Sequence, residues 1–419
     1  MLPWFATNAR DLPWRRTDDP YAIWVSEIML QQTQVKTVIP FWNRWMRELP
    51  TIESVAKASP AKIHKLWEGL GYYTRVRNLQ KAAKQIVTDF RRRGNESQTE
   101  EKCKTLHVVS YKFPENFDDV LALPGIGRYT AGAICSIAFN QPTPLLDGNV
   151  IRVLTRIFGI AENPKEKKTN ARLWQLAGEL VTRANTLRWG ETPGEPARED
   201  ARPTNNQDCS HLNQSLMELG ALVCTPRNPQ CPICPVKKLC VAFRENRVEQ
   251  LPNLGERATA TARRFMAFIV ENNGRLLIRQ RPAGVVNGHL WEFPNVEVAA
   301  GILPAVEPGV PPGGDTARNF KPVKLSRKIP GGRTPAATAL ALASKTLGLE
   351  ISDARHLSTV KHSITRYRIT LEGYRVQLRR QPRLQAGVWK SPAQMRRLAF
   401  TAAHKKLASA ANHRILSAR

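Results

Sequence analysis

The sequence predicts a multidomain chain in which an all-α region is followed by an α+β domain. Three observations carry this. Apolar residues recur at helical spacing, punctuated by Pro and Gly, from Pro20 to about Phe243; four closely spaced cysteines end that region; and beyond a short linker the period changes to the alternation of strands. The expected parts are 1–243, a linker at 244–262, and 263–419.

At 419 residues and 42% hydrophobic content, the chain can give two or three domains a core each. It has no apolar run of about 18 residues, and its start lacks the apolar stretch of a signal peptide, so an intracellular protein without a membrane span is expected. The net charge is +28 and the positive residues are spread along the whole chain. Spread positive charge repels itself unless a polyanion relieves it, so a nucleic acid is the expected partner; charge alone does not separate DNA from RNA. Of the seven cysteines, Cys103, Cys135 and Cys209 share no spacing and read as ordinary thiols.

In chain order, the helical stretches are 21–38, 60–66, 72–90, 128–139 and 150–158. Two polar segments without periodicity, 94–110 and 189–208, read as insertions outside the core. After the linker, 264–270, the turn Asn272-Asn273-Gly274 and 275–279 read as a β-hairpin. A Pro/Gly-rich excursion at 299–324 follows, then an Ala-rich helix at 334–347 ended by Gly348, and strands at 364–371 and 374–378.

Cys224, Cys231, Cys234 and Cys240 are spaced C-x6-C-x2-C-x5-C in a Pro-rich loop too short to fold by itself, and read as ligands of one metal centre. Thiolates around a single tight loop suit a cubane [4Fe-4S] cluster; zinc, which more often pairs two short knuckles across a longer gap, is the alternative. Lys237 and Lys238 lie inside the loop, where a phosphate backbone could meet them, so a structural, DNA-docking role is expected of the centre.

Leu123-Pro124-Gly125-Ile126-Gly127 precedes an apolar-periodic helix. Gly125 and Gly127 suit a tight hairpin that exposes backbone N–H groups at a helix N-terminus, a ready phosphate site, although a plain turn needing Gly would read alike. Glu27 sits where helical spacing puts Ile23, Leu30 and Gln31 on its face. A carboxylic acid on such a face is desolvated and keeps its proton near neutral pH, ready for delivery to a base nitrogen; a Glu at the core edge paired with an Arg fits the same window. Asp147 precedes the helix 150–158, with Asn149 as its expected cap. Nearby N–H groups and the positive dipole end would keep Asp147 ionised, able to stabilise a cationic sugar, while an Asx turn is the plainer reading.

The run 24–35 (WVSEIMLQQTQV), the hairpin LPGIGRYTAGAI, the run LDGNV and the four-cysteine loop stand in the order found in MutY-type adenine DNA glycosylases, and the chain resembles that family. The two polar insertions and the Pro-rich excursion fall outside the resemblance. It implies an all-α helix-hairpin-helix glycosylase fold with a [4Fe-4S] loop, followed by an α+β Nudix-like domain, acting as a monomer. It further implies that adenine mispaired with 8-oxoguanine, or with guanine, is flipped out of duplex DNA and its N-glycosidic bond cleaved. By the same resemblance Glu27 is the acid that protonates adenine N7, Asp147 the carboxylate that stabilises the oxocarbenium-like sugar, and Tyr129 and Asn149 supporting pocket residues. Adenine leaves poorly as an anion, so protonation helps it depart while a fixed negative charge favours the sugar cation; general acid help is typically worth ~10²–10⁴-fold.

Endonuclease III-type enzymes share the hairpin, the Asp and the cysteine spacing, but attack the sugar with a lysine two residues after the second hairpin glycine. Tyr129 holds that position here, so no Schiff base can form there, and the resemblance implies a monofunctional glycosylase over a bifunctional glycosylase/AP lyase. A non-catalytic DNA-binding relative is the alternative from another class. Leu30 and Gln32 resemble residues inserted around the lesion pair, and Tyr72 a wedge beside 8-oxoguanine, although Leu30 and Tyr72 also suit a core. Arg15, in Leu12-Pro13-Trp14-Arg15, matches a family position near the active site.

In the second domain, Gly288-His289-Leu290-Trp291-Glu292-Phe293-Pro294 and the stretch 332–349 resemble a Nudix fold and its helix. A Nudix hydrolase holds metal ions with several Glu on that helix; this one has none, so the resemblance implies lesion reading without hydrolysis. The family reads with a Phe-Ser-His loop, best matched by 362–366, where Ile364 replaces the aromatic and Arg366 the second His. Ser363 or Thr365 would then bond the lesion; a basic surface turn fits equally.

Overall fold

The computed structural model describes residues 1–96, 113–186, 208–256, 259–298, 335–348, 351–364, 366–378 and 387–416. Nearly all of the insertions 94–110 and 189–208 lie outside the described residues, as do the excursion 299–324, Cys103 and Thr365. Two compact units result: Met1–Ala58 with Arg75–Arg257, and Ser59–Thr74 with Ala258–Arg419.

In its described part the first unit is helical. Its central helix, Pro20–Leu30, starts with Pro at a position that has no use for an N–H, and Asp19 caps it by accepting from Tyr21 N at 3.0 Å. Every residue from Tyr21 to Met29 is buried, so this helix is enclosed on all sides. The single helix expected over 21–38 is in fact two, Pro20–Leu30 and Val35–Glu48. Arg75 explains the break: its Nη1 donates to the carbonyls of Ile28, Met29 and Gln31 at 3.0, 2.9 and 2.6 Å, which satisfies the orphan acceptors of the first helix end. The turn passes through Gln32, left-handed at φ 55°. Leu145, Val150, Val153, Leu154, Leu173 and Leu219 form the core under the Asp147 segment, joining the helices Gly148–Ile157, Lys167–Thr186 and Asp208–Leu222.

Among the described residues, the second unit is built on a seven-stranded sheet: β1 (Thr261–Asn272), β2 (Arg275–Gln280), β3 (Trp291–Glu292), β4 (Asn295–Glu297), β5 (Ile351–Ile364), β6 (Tyr367–Leu378) and β7 (Val388–Lys390). The order is β3-β2-β1-β6-β5, with β4 also pairing β1 and β7 pairing β2. The β1–β6 pair is parallel and the others are antiparallel. Strand alternation splits the core in two: Met266, Phe268 and Val270 pack with Leu342 and Ala343 of the helix Pro335–Leu347, while Ala267 and Ile269 pack with Ala403 and Leu407 of the helix Ala402–Leu416.

Two strand expectations change. Of the strands expected at 364–371 and 374–378, the parts 367–371 and 374–378 are one continuous β6 that runs through Gly373, while Ile364 ends β5; a Cβ at Gly373 would lie 2.8 Å from Leu407 Cδ2, so glycine serves close helix packing and not a break. The residues 362–364 are also strand and not loop: His362, Ser363 and Ile364 pair with Ile369, Arg368 and Tyr367.

Candidate active site

Glu27 is 5% exposed, and its Oε2 accepts a hydrogen bond from the Tyr129 hydroxyl at 2.9 Å. Burial lifts its carboxyl from the ordinary 4.5 to about 7; the Tyr129 bond opposes the lift, the Asp147 charge adds to it and the Arg15 charge opposes it. Glu27 and Asp147 both push the Tyr129 phenol upward, after burial, so the three groups share one electrostatic cluster. Tyr129 Oη also lies 3.5 Å from Met217 Sδ, which seats the ring against the helix Asp208–Leu222.

Asp147 is itself the cap of the helix Gly148–Ile157: its Oδ1 accepts from Val150 N at 2.7 Å. Asn149, the expected cap, instead donates from Nδ2 to Asp147 Oδ2 at 2.9 Å, while its own Oδ1 accepts from Arg152 Nη2 at 2.8 Å. Asp wins the cap because it stands one residue before the first helical position, where a side chain reaches the third N–H. The N–H groups expected to keep Asp147 ionised are in place, but burial outweighs them and raises the carboxyl above its ordinary value. Bonds from Val150 N, the Asn149 side chain and Asn149 N, with the Arg152 charge, all oppose that lift, whereas Glu27 has Tyr129 as its one hydrogen-bond donor among them.

Arg15 faces inward. Its Nε donates to Gln214 Oε1 at 3.1 Å, its Nη1 to Arg10 O at 3.0 Å and its Nη2 to Glu218 Oε2 at 3.0 Å, so each of its nitrogens is engaged within the protein. Glu218, which the sequence reading missed, has a side chain with 0% exposure and also accepts from Arg10 Nε and Nη2 at 2.7 Å each. Burial raises its pKa, but the bonds from Arg10 and Arg15 prevail and draw it down to about 2. An acid inside the apolar run Leu216-Met217-Glu218-Leu219 was the available signal.

In the hairpin, Gly125 is left-handed at φ 81° and a Cβ there would fall 2.5 Å from Asn78 Cβ, so glycine is required twice over. Gly127 is extended, exposed and caps the helix Arg128–Phe139 without a side-chain bond, so the first turn is open to an outside acceptor. Leu30 is half-buried and Gln32 exposed, both at the break held by Arg75; Tyr72 belongs to the second unit, 43% exposed at φ 46°. Ser363 lies on β5 opposite Arg368.

Cys224, Cys231, Cys234 and Cys240 line one cavity with Arg156 and Val236. Four cysteines from one short loop lining one cavity are a donor set that fits an iron–sulfur cluster. Burial raises the thiol pKa values of Cys231, Cys234 and Cys240, so a bound cationic centre would be what holds them as thiolates. The buried Arg156 adds positive charge, with Nη1 3.3 Å from Cys224 Sγ.

Residues 25–179 match the HhH-GPD superfamily of base excision DNA repair proteins, and 224–240 match the iron-sulfur binding domain of endonuclease III. Fold and site thus define a base-excision DNA glycosylase that carries a [4Fe-4S] cluster. The chain is 34% identical over 412 residues to the adenine DNA glycosylase of Homo sapiens, covering 81% of this chain and 68% of that one. It is 34% identical over 298 residues to the adenine DNA glycosylase of Buchnera aphidicola subsp. Schizaphis graminum, covering 71% and 74%. The chain belongs to the adenine DNA glycosylase family. It is also 41% identical over 263 residues to the Rattus norvegicus adenine DNA glycosylase, of whose length it spans 43%. Among solved structures it is similar to a thermostable thymine-DNA glycosylase, at 26% identity and a TM-score of 0.45 over 58% of this chain and 93% of that one.

Proposed function

We propose that this protein excises adenine opposite 8-oxoguanine or guanine in duplex DNA, and that it stops at base removal. The observation that carries the reading is the pairing of a buried Glu27, poised at about 7, with Asp147 in one electrostatic cluster. Glu27 delivers its proton to the base nitrogen, which lets adenine leave as a neutral molecule. Asp147 then opposes the positive charge that develops on the sugar, its oxygens held by Val150 N and Asn149 Nδ2. Tyr129 and Asn149 orient the two carboxyls. Because Tyr129 is buried against Glu27 and offers no amine, no Schiff base with the sugar forms at that position.

Cys224, Cys231, Cys234 and Cys240 would hold the [4Fe-4S] cluster, which would tie the loop together; the protein's own share is to present the exposed Lys237 and Lys238 on that loop to phosphate. The open helix start at Gly125 and Gly127 takes another phosphate, and Leu30, Gln32 and Tyr72 enter the opened duplex. The second unit reads the lesion strand from Ser363 and its hairpin, without hydrolysis, since the helix Pro335–Leu347 has no carboxylate for metal. The protein acts as an intracellular monomer. Single-turnover adenine release from A:8-oxoguanine and A:G duplexes, with borohydride added, tests the reading. Release without a trapped covalent adduct is expected, and accumulation of an adduct means a lyase.

A further inference from the structure

Ser59–Thr74 packs within the second unit, and Glu68 is at the centre of the contacts that fasten it there. Glu68 Oε1 accepts the Phe400 N–H at 3.0 Å, while its Oε2 accepts from Lys405 Nζ at 2.9 Å and Lys65 Nζ at 2.7 Å. Lys65 Nζ also donates to Leu398 O at 3.1 Å, and the His64 ring stacks on His289 with centroids 6.2 Å apart. The Glu68 side chain is 6% exposed, against 56% for Lys405. Burial pulls the Glu68 carboxyl up, but its lysine and backbone donors prevail, so it sits in the clasp as an anion.

Four residues further on stands Tyr72, exposed and left-handed. Both flanks of its turn are fixed: Trp67 Nε1 donates to Gly71 O at 3.0 Å, and the buried Tyr73 packs edge-on against His64 at 5.9 Å. An exposed aromatic on a turn held at both ends is a stiff projection, and its aim depends on what holds the turn.

We infer that Glu68 is a specificity-determining positioning residue, which fastens the Tyr72 turn to the 398–405 segment so that wedge and lesion reader meet the damaged base as one body. The inference rests on the reading of Tyr72 as a wedge. It differs from a purely structural role in one respect: Glu68 acts through Tyr72, so its effect must vanish when Tyr72 is gone.

The test is a double-mutant cycle on the full chain, with single-turnover rates on A:8-oxoguanine and A:G for wild type, Glu68→Gln, Tyr72→Ala and the pair. Glu68→Gln is expected to lower the ratio of the two rates about tenfold, equivalent to ~1.4 kcal/mol, and to lower it no further in the Tyr72→Ala background. Lys405→Met removes only an exposed partner, spares the fold if Glu68→Gln does not, and is expected to lower the same ratio by less. Equal losses on both duplexes, or full additivity with Tyr72→Ala, overturn the assignment. If Tyr72→Ala leaves the A:8-oxoguanine rate unchanged, the wedge reading falls with it; if Tyr72→Ala slows that reaction while Glu68→Gln leaves the ratio intact, Glu68 alone is misassigned.

Discussion

The Tyr129 hydroxyl donates to Glu27 Oε2 at 2.9 Å, and this bond opposes the lift that burial imposes on the acid. Tyr129→Phe removes that donor while keeping the ring. The alkaline limb of the rate–pH profile is expected to move to higher pH, with a stability loss of ~1 kcal/mol for one hydrogen bond. Single-turnover rates across pH, with denaturant melts of both proteins, check the two effects together.

Glu27 also imposes a stability cost that pH reveals. Its folded pKa, about 7, lies above the ordinary 4.5, so the folded state holds the proton more tightly. The associated stability is full below about 4.5 and is lost as pH rises through about 7, by an amount on the order of 3 kcal/mol. Glu27→Gln should therefore match wild type near pH 5 and exceed it by ~1–3 kcal/mol at pH 9. Urea melts at several pH values decide; a difference independent of pH contradicts the burial account.

Much of this was legible in the sequence because it depends on local pattern. Four cysteines in a tight loop, glycines at a hairpin, and the helix after Asp147 state their own chemistry over a few residues. What stayed hidden depends on partners far along the chain. Arg75 ends a helix 44 residues before it by bonding Gln31 O, and Glu218 recruits Arg15 across 203 residues. Periodicity reports a face, not the side chain that will cap it. The continuity of β6 stayed hidden for a like reason: only the presence of Leu407 shows that Gly373, between the two expected strands, serves close packing.

Asp147 serves both as helix cap and as counter-charge, and one substitution separates the two. Asparagine can still accept from Val150 N but carries no charge. Asp147→Asn is expected to hold stability within ~0.5 kcal/mol, since the two residues cap about equally, while adenine release falls ~10²–10³-fold. Thermal melts beside single-turnover assays test this, and a variant that loses activity only by unfolding speaks against the counter-charge.

The Glu218 carboxylate, held near 2 by Arg10 and Arg15, titrates in the opposite sense. Its contribution is present above the ordinary 4.5 and fades as pH falls through about 2, so wild type loses this support in acid. Glu218→Gln leaves two arginines without their buried anion and is expected to cost ~3 kcal/mol at pH 7. The gap between the two proteins should close as the melts are taken to lower pH; a gap that persists unchanged in acid argues against the ion triad.

The most direct test of the whole account is the single-turnover rate of adenine release from an A:8-oxoguanine duplex between pH 5 and 9, for wild type and Glu27→Gln side by side. The account predicts a wild-type rate that declines above about 7, tenfold for each pH unit once the acid is ionised, and a variant slower by at least ~10² throughout. A wild-type rate that stays level to pH 9, or a variant that releases adenine at the wild-type rate, would contradict it.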